Sequence, residues 1–174
     1  MAWQETSLKE KLFLDLDREL QTTRRVLDRL PEEQYGWKPH EKSMSLGRLA
    51  AHVAELPSWA TDTLRSDELN FANMRPMMRE ATSRQQLLER FDSNVAELRR
   101  VVEQFDPGNW DKPWTMRNGD QIIVTKPRSL VYRVWSLNHL IHHRAQLCLY
   151  LRLLNVPVPT IYFNTADNPE MIFE

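Results

Sequence analysis

The stretch LNHLIHHRAQL, Leu137 to Leu147, holds three of the five histidines in the chain. Their spacing makes chemical sense on a helix, where each residue turns by about 100°. With His139 at zero, His143 falls at about +40° and one turn along, so the two rings share a face. An i, i+4 pair of this kind can ligate one ion, as in the helical His-x-x-x-His of zinc proteases, although the glutamate of that motif is absent. His142 falls at about −60°, roughly 100° from His143, and is set aside. On the same wheel Trp135 lies at about −40°, Gln146 at about −20°, and Tyr132 and Tyr150 at about +20°. A stripe that mixes aromatic and polar groups suits a pocket wall with a few convergent polar atoms. Cys148 points about 180° away, and Arg144, at about +140°, is expected to form a structural ion pair.

Working outward, this helix is expected to run from about Ser129 to Leu154. Asn155 can take the left-handed position beyond its end, and Pro157 follows. Three more segments carry a helical period. The first, about Ser7 to Leu30, has its stripe at Leu12, Leu16, Leu20, Val26 and Leu30 and stops at Pro31; its charged run DRELQTTRR reads as a solvated face. The second, about Leu46 to Leu64, is capped by Ser45, and Pro57 predicts a kink or local break. The third, about Arg84 to Gln104, opens on a possible capping box of Ser83 and Gln86. WTMRNGDQIIVT, Trp114 to Thr125, reads as a hairpin with Asn118-Gly119 in a type I′ turn. The expected fold is all-α: a four-helix bundle with a small β-hairpin between the third and fourth helices, one domain over residues 1–174.

Bundles build metal sites from side chains on facing helices. His52 sits in the apolar stripe of the second helix with Leu49, Val53, Leu56 and Trp59. A buried histidine there needs a partner, which makes it the best third ligand. His40 lies in a loop and is assigned no role. Three neutral imidazoles leave a coordination position open, whereas structural zinc sites are usually closed by four ligands. Imidazole suits Zn, Ni and Fe alike. Gln146 and Tyr150 are the candidates for orienting a substrate or donating a proton.

Composition removes other classes. The net charge is −1, from 23 basic and 24 acidic side chains, and no basic block is interleaved with aromatics, so nucleic acid is not an expected partner. The four glycines cannot assemble a phosphate loop. One cysteine, Cys148, excludes an internal disulfide, and no apolar run reaches the roughly 20 residues that span a bilayer. The N-terminus lacks a signal-peptide pattern. A cytoplasmic protein with no membrane association is expected.

YGWKPHEKSMSLGRLAAHVAELPSW, NHLIHHRAQL and VPTIY together resemble the DinB/YfiT-like family of helical-bundle metalloenzymes, over nearly the whole chain. The resemblance implies a divalent metal near one end of the bundle, held by His52, His139 and His143, and a homodimer. Characterised relatives act on small molecules with thiols such as glutathione, mycothiol or bacillithiol. A metal-dependent, thiol-dependent S-transferase or a metal-dependent hydrolase is therefore expected, with a low-molecular-weight thiol as cosubstrate. The alternative is a non-catalytic metal- or ligand-binding dimeric bundle. Relatives often follow the Ile-Tyr of the tail with Gly-Pro-Ser; here Phe163-Asn164-Thr165 stand instead.

Overall fold

Ser45 opens the central helix: its hydroxyl accepts the Arg48 N–H at 3.1 Å and donates to Glu80 at 2.7 Å. That satisfies one of the donors a helix start leaves unpaired. The computed structural model describes residues 7–74 and 76–169. In chain order it contains α1 (Leu8–Leu12), α2 (Leu16–Asp28), α3 (Leu46–Arg65), β1 (Glu68–Asn70), α4 (Arg84–Gln104), β2 (Pro113–Asn118), β3 (Gln121–Pro127), α5 (Arg128–Val131), a π-helical segment (Tyr132–Asn138) and α6 (His139–Leu153).

The fold is the expected helical bundle. Both α2 and α3 pack against α4 and α6, so the helices alternate around the bundle as α2, α4, α3 and α6. α3 is buried on almost every side, from Leu46 through Leu64. Gly47 allows the close approach at its start: a Cβ there would lie 3.0 Å from the Tyr35 Cβ and 3.3 Å from the Ala81 carbonyl oxygen. The helix runs unbroken through Pro57, so the expected local break does not occur. α4 supports the adjoining turn, where the Asn94 amide donates to the Ala54 carbonyl at 2.9 Å.

Several expectations need correcting. The first helix is two helices. The chain turns at residues 13–15, and Phe13 enters a cluster of edge-on rings with Phe105, Trp110 and Tyr132. The reciprocal capping box lies at Ser7 and Glu10. Ser83 does cap α4, but the Gln86 side chain accepts from Thr82 instead of Ser83. The charged run on α2 is not a solvated face throughout, because Glu19, Thr22 and Thr23 are buried.

The hairpin forms, but the sheet has three strands, with β1 parallel to β2 and β2 antiparallel to β3. Asn118 pairs with Gln121, leaving Gly119 and Asp120 as the loop, and only Gly119 has positive φ, at 57°. A type I′ turn needs positive φ at both central residues, so these signs are those of type II′. Trp114 and Met116 on β2 face inward and form a second small core with Val131.

The last helix begins at Arg128 and contains the π segment. Closing i→i+5 bonds makes each residue turn by less than the ~100° of an α-helix. The wheel therefore fails upstream of His139. Tyr132, expected on the histidine face, is buried against Phe13 and Trp110 instead. Downstream the helix ends as expected: Asn155 has φ 58°, and the Val156 N–H reaches back to the Leu151 carbonyl at 2.9 Å. Leu147 and Leu151 are buried, but Leu149 is 57% exposed and Leu153 52% exposed, so one face of α6 stands open among the described residues.

Candidate metal centre

Two elements bring the histidines together. His52 projects from α3, and His139 and His143 project from the first two turns of α6, which packs on α3. The ring centroids form a nearly regular triangle: 4.9 Å for His52 to His139, 4.7 Å for His52 to His143, and 4.6 Å for His139 to His143. One nitrogen from each lies within 4.8 Å of the others, an arrangement that could hold a metal ion. The Nε2 atoms of His52 and His139 are 3.1 Å apart.

The far side of two rings is already committed. His139 Nδ1 lies 3.2 Å from the Trp135 carbonyl oxygen, which can only accept, so that nitrogen carries the proton. His143 Nδ1 donates in the same way to Gln146 Oε1 at 2.6 Å. Both bonds leave Nε2 unprotonated, and that of His139 faces the His52 Nε2 at 3.1 Å. This is the arrangement in which metal-bound histidines are normally held. The donor set therefore fits a divalent ion such as Zn, Ni or Fe.

The remaining candidates are placed as follows. Gln146 orients His143, as just described. The Tyr150 hydroxyl donates to the Met44 carbonyl at 3.3 Å, and its ring meets Trp37 edge-on at 5.4 Å. His142 is exposed, with its ring 4.9 Å from that of His143 and outside the triangle. Cys148 stands apart, and burial raises its thiol pKa, which disfavours the reactive thiolate. Arg144 is 2% exposed and pairs with Glu19 at 2.6 Å. One aromatic neighbour was not singled out from the sequence: Trp59 lies edge-on to both His52, at 5.6 Å, and His139, at 5.5 Å, and stacks on Trp135. Its place in the stripe of His52, two turns along α3, was the available signal.

The chain belongs to the DinB superfamily. The family model matches residues 15–147, which include all three histidines of the triangle. Three solved structures share the fold. A DinB-like protein from Bacillus cereus ATCC 10987 is 21% identical, with a TM-score of 0.67, over 88% of this chain and 97% of that one. A DinB-like protein from Bacillus subtilis is 16% identical, with a TM-score of 0.66, over 87% and 96%. A DinB-family protein from Exiguobacterium sibiricum 255-15 is 20% identical, with a TM-score of 0.63, over 90% and 98%. No curated protein matches this chain. Among the described residues, no helix is long and apolar enough to cross a membrane.

Burial keeps all three rings neutral. It is the largest cause for each, and it pushes His52 from 6.5 down to about 4, aided by the neighbouring His143, His139 and Arg48. The pKa values of His139 and His143 are lowered for the same primary reason. Unfolding exposes these groups, which then take up protons below about pH 6.5. The unfolded state therefore binds more protons, and stability falls as the pH drops from about 6.5 toward about 4. Thermal melts of the metal-free chain should show a constant midpoint above about pH 7 and a falling one from about pH 6.5 to 5. A midpoint that rises over that interval contradicts the neutral assignment.

Proposed function

We propose that this chain is a divalent-metal-dependent enzyme that joins a low-molecular-weight thiol to a small-molecule acceptor, an S-transferase. The observation that carries the reading is the convergence of three neutral imidazoles, two of whose outer nitrogens are already bonded. Such a set contributes no negative charge, so a bound ion keeps its full charge for a substrate. The chemistry an ion supplies in that setting is to favour the deprotonated form of a thiol and hold it for attack. The protein's own part is positional. Gln146 and the Trp135 carbonyl fix the tautomers of His143 and His139. Trp59 walls the centre on the side of α3. Transfer replaces a leaving group on the acceptor with the thiol sulfur, and the thiol proton passes to solvent.

The test uses untagged protein. Metal content is measured by mass spectrometry before and after reconstitution with Zn²⁺, Ni²⁺ or Fe²⁺. The loaded protein is then given glutathione, or bacillithiol, with 1-chloro-2,4-dinitrobenzene, and chloride release is followed. Metal-dependent release with either thiol is expected. Stoichiometric metal with no thiol dependence, but with turnover of a nitrophenyl ester, would make the chain a hydrolase. Metal uptake with neither activity favours the non-catalytic reading.

The same reading includes a homodimer. Leu149 and Leu153 stand one turn apart on the open face of α6, and apolar groups so placed suit a second copy of the chain. Sedimentation equilibrium should give twice the chain mass, and Leu149→Glu should return the mass of one chain. A wild-type monomer at micromolar concentration rejects it.

A further inference from the structure

Away from the histidine triangle, α2 and the C-terminal tail enclose a cleft of about 270 Å³. One wall is α2, through Arg18, Gln21, Thr22 and Arg25; the other is residues 160–162 of the tail. Both arginines reach from one wall to the other. The Arg25 guanidinium donates to the Thr22 hydroxyl at 3.4 Å and to the Thr160 carbonyl at 3.5 Å. The Arg18 guanidinium carbon lies 5.7 Å from the centre of the Tyr162 ring. Seven residues separate the two arginines, which puts them on one face of α2 about 10 Å apart along its axis. Cations thus stand near both ends of the cleft, and no carboxylate is among the described residues that line it.

The tail wall is fixed at both ends. Ahead of it, the Val158 N–H donates to the Asp167 carboxylate at 2.9 Å, and that carboxylate pairs with Arg152 at 2.6 Å. At its far end the Tyr162 hydroxyl donates to Glu19 at 3.0 Å and accepts from Arg144 at 2.8 Å. Ile161 packs against the main core. On the α2 side, Thr22 is 1% exposed. Arg18 is the group left with chemistry to do. Among the described residues its contact is the Tyr162 ring, with no carboxylate and no hydrogen-bond acceptor paired to it. Its guanidinium carries five N–H donors and keeps its charge at every physiological pH.

We propose that this cleft is a second binding site, for a small organic carboxylate whose charged end pairs with Arg18 and whose apolar body, about the size of one ring, lies against Ile161 and Tyr162. A guanidinium matches a carboxylate with two parallel N–H···O bonds. Ile161 and the Tyr162 ring place apolar surface between the two cations, which favours a carbon body over a bare oxyanion. The volume lies just below the ~300–1,000 Å³ of ordinary small-molecule sites, which excludes a nucleotide-sized ligand. None of the three histidines lines the cleft, so the site stands independently of the enzymatic reading above.

The experiment compares benzoate with benzamide, which has nearly the same shape and no charge. Affinities for the full chain are measured by ligand-observed NMR, as purified and after EDTA treatment. Benzoate should bind at least tenfold more tightly than benzamide, and EDTA should leave its affinity unchanged. Arg18→Gln should weaken benzoate about tenfold, the size of one charge-assisted hydrogen bond, and change benzamide less than about twofold. Gln21→Glu, which sets a negative charge in the same wall, is the second arm and should also weaken benzoate selectively. Inorganic phosphate in tenfold excess should not displace benzoate. No binding of benzoate, equal binding of benzamide, or wild-type affinity in both variants overturns the proposal. Displacement by phosphate overturns the requirement for a carbon body. Loss of benzoate binding with EDTA would place the carboxylate on a metal at the histidines and overturn the second site.

Discussion

In His139→Ala, purified chain reconstituted with Zn²⁺ should retain almost no metal where the wild type holds one ion. His139 stands at 4.9 Å and 4.6 Å from the two other rings, centroid to centroid, so its loss opens one corner of the triangle. Structural zinc sites with four ligands bind with apparent free energies of about 10–16 kcal/mol. Shared among the ligands, that is about 3 kcal/mol each, or on the order of a hundredfold in affinity. Among the described residues the three-ligand centre has no spare donor to compensate, because His142 lies outside the triangle and Cys148 stands apart. The measurement is metal content after gel filtration, with a competing chelator for affinity. Wild-type occupancy in His139→Ala would remove the triangle as the metal site.

Arg144→Ala should lower stability by about 3–5 kcal/mol, the usual consequence of leaving one charge of a buried pair without its partner. Arg144 bonds the Glu19 carboxylate at 2.6 Å, the Glu19 carbonyl at 3.2 Å and the Tyr162 hydroxyl at 2.8 Å. Tyr162 in turn donates to Glu19 at 3.0 Å, and the guanidinium lies 5.4 Å from the centre of its ring. One side chain thus joins α6, α2 and the C-terminal tail. Removing it leaves the Glu19 carboxylate in the core with the Tyr162 hydroxyl as its donor among the described residues. For a chain of this length the melting temperature should fall by about 10 °C. The double variant Glu19→Met/Arg144→Met should regain most of the loss, because replacing both charges with apolar groups removes the desolvation penalty. Urea titrations check both. A loss below about 1 kcal/mol in Arg144→Ala would mean that the pair is solvated.

The bundle was legible because its helices carry an apolar period over many turns, and Ser45, Ser83 and Asn155 mark ends that the structure keeps. The triangle was legible because histidine is scarce and its i, i+4 spacing has a geometric meaning. His52 was harder, being identified by its place in an apolar stripe and by the family resemblance. Other features left no local trace. The break at residues 13–15 follows from Phe13 meeting rings from distant segments, while the period of the flanking residues continues across it. β1 is three residues long and is a strand only because β2 lies beside it. Glu19 looks like a surface charge until Arg144 arrives from the far end of the chain. The π segment was invisible for a related reason: its extra residue per turn follows from packing, and nothing in Tyr132–Asn138 resembles a breaker.

That segment also governs how the gene can change length. β1 and the hairpin lie before it and the two histidines of α6 lie after it, so it acts as a phase adjuster between two halves that each have their own packing. Loss of one residue from Tyr132–Asn138 would let an ordinary α-helix join the same two halves with both flanks still in phase, whereas loss of one residue from the regular turns after His139 would rotate everything upstream by about 100°. Length changes between this chain and related bundles should therefore fall inside this segment, and an alignment gap there would mark a relative whose last helix is regular throughout.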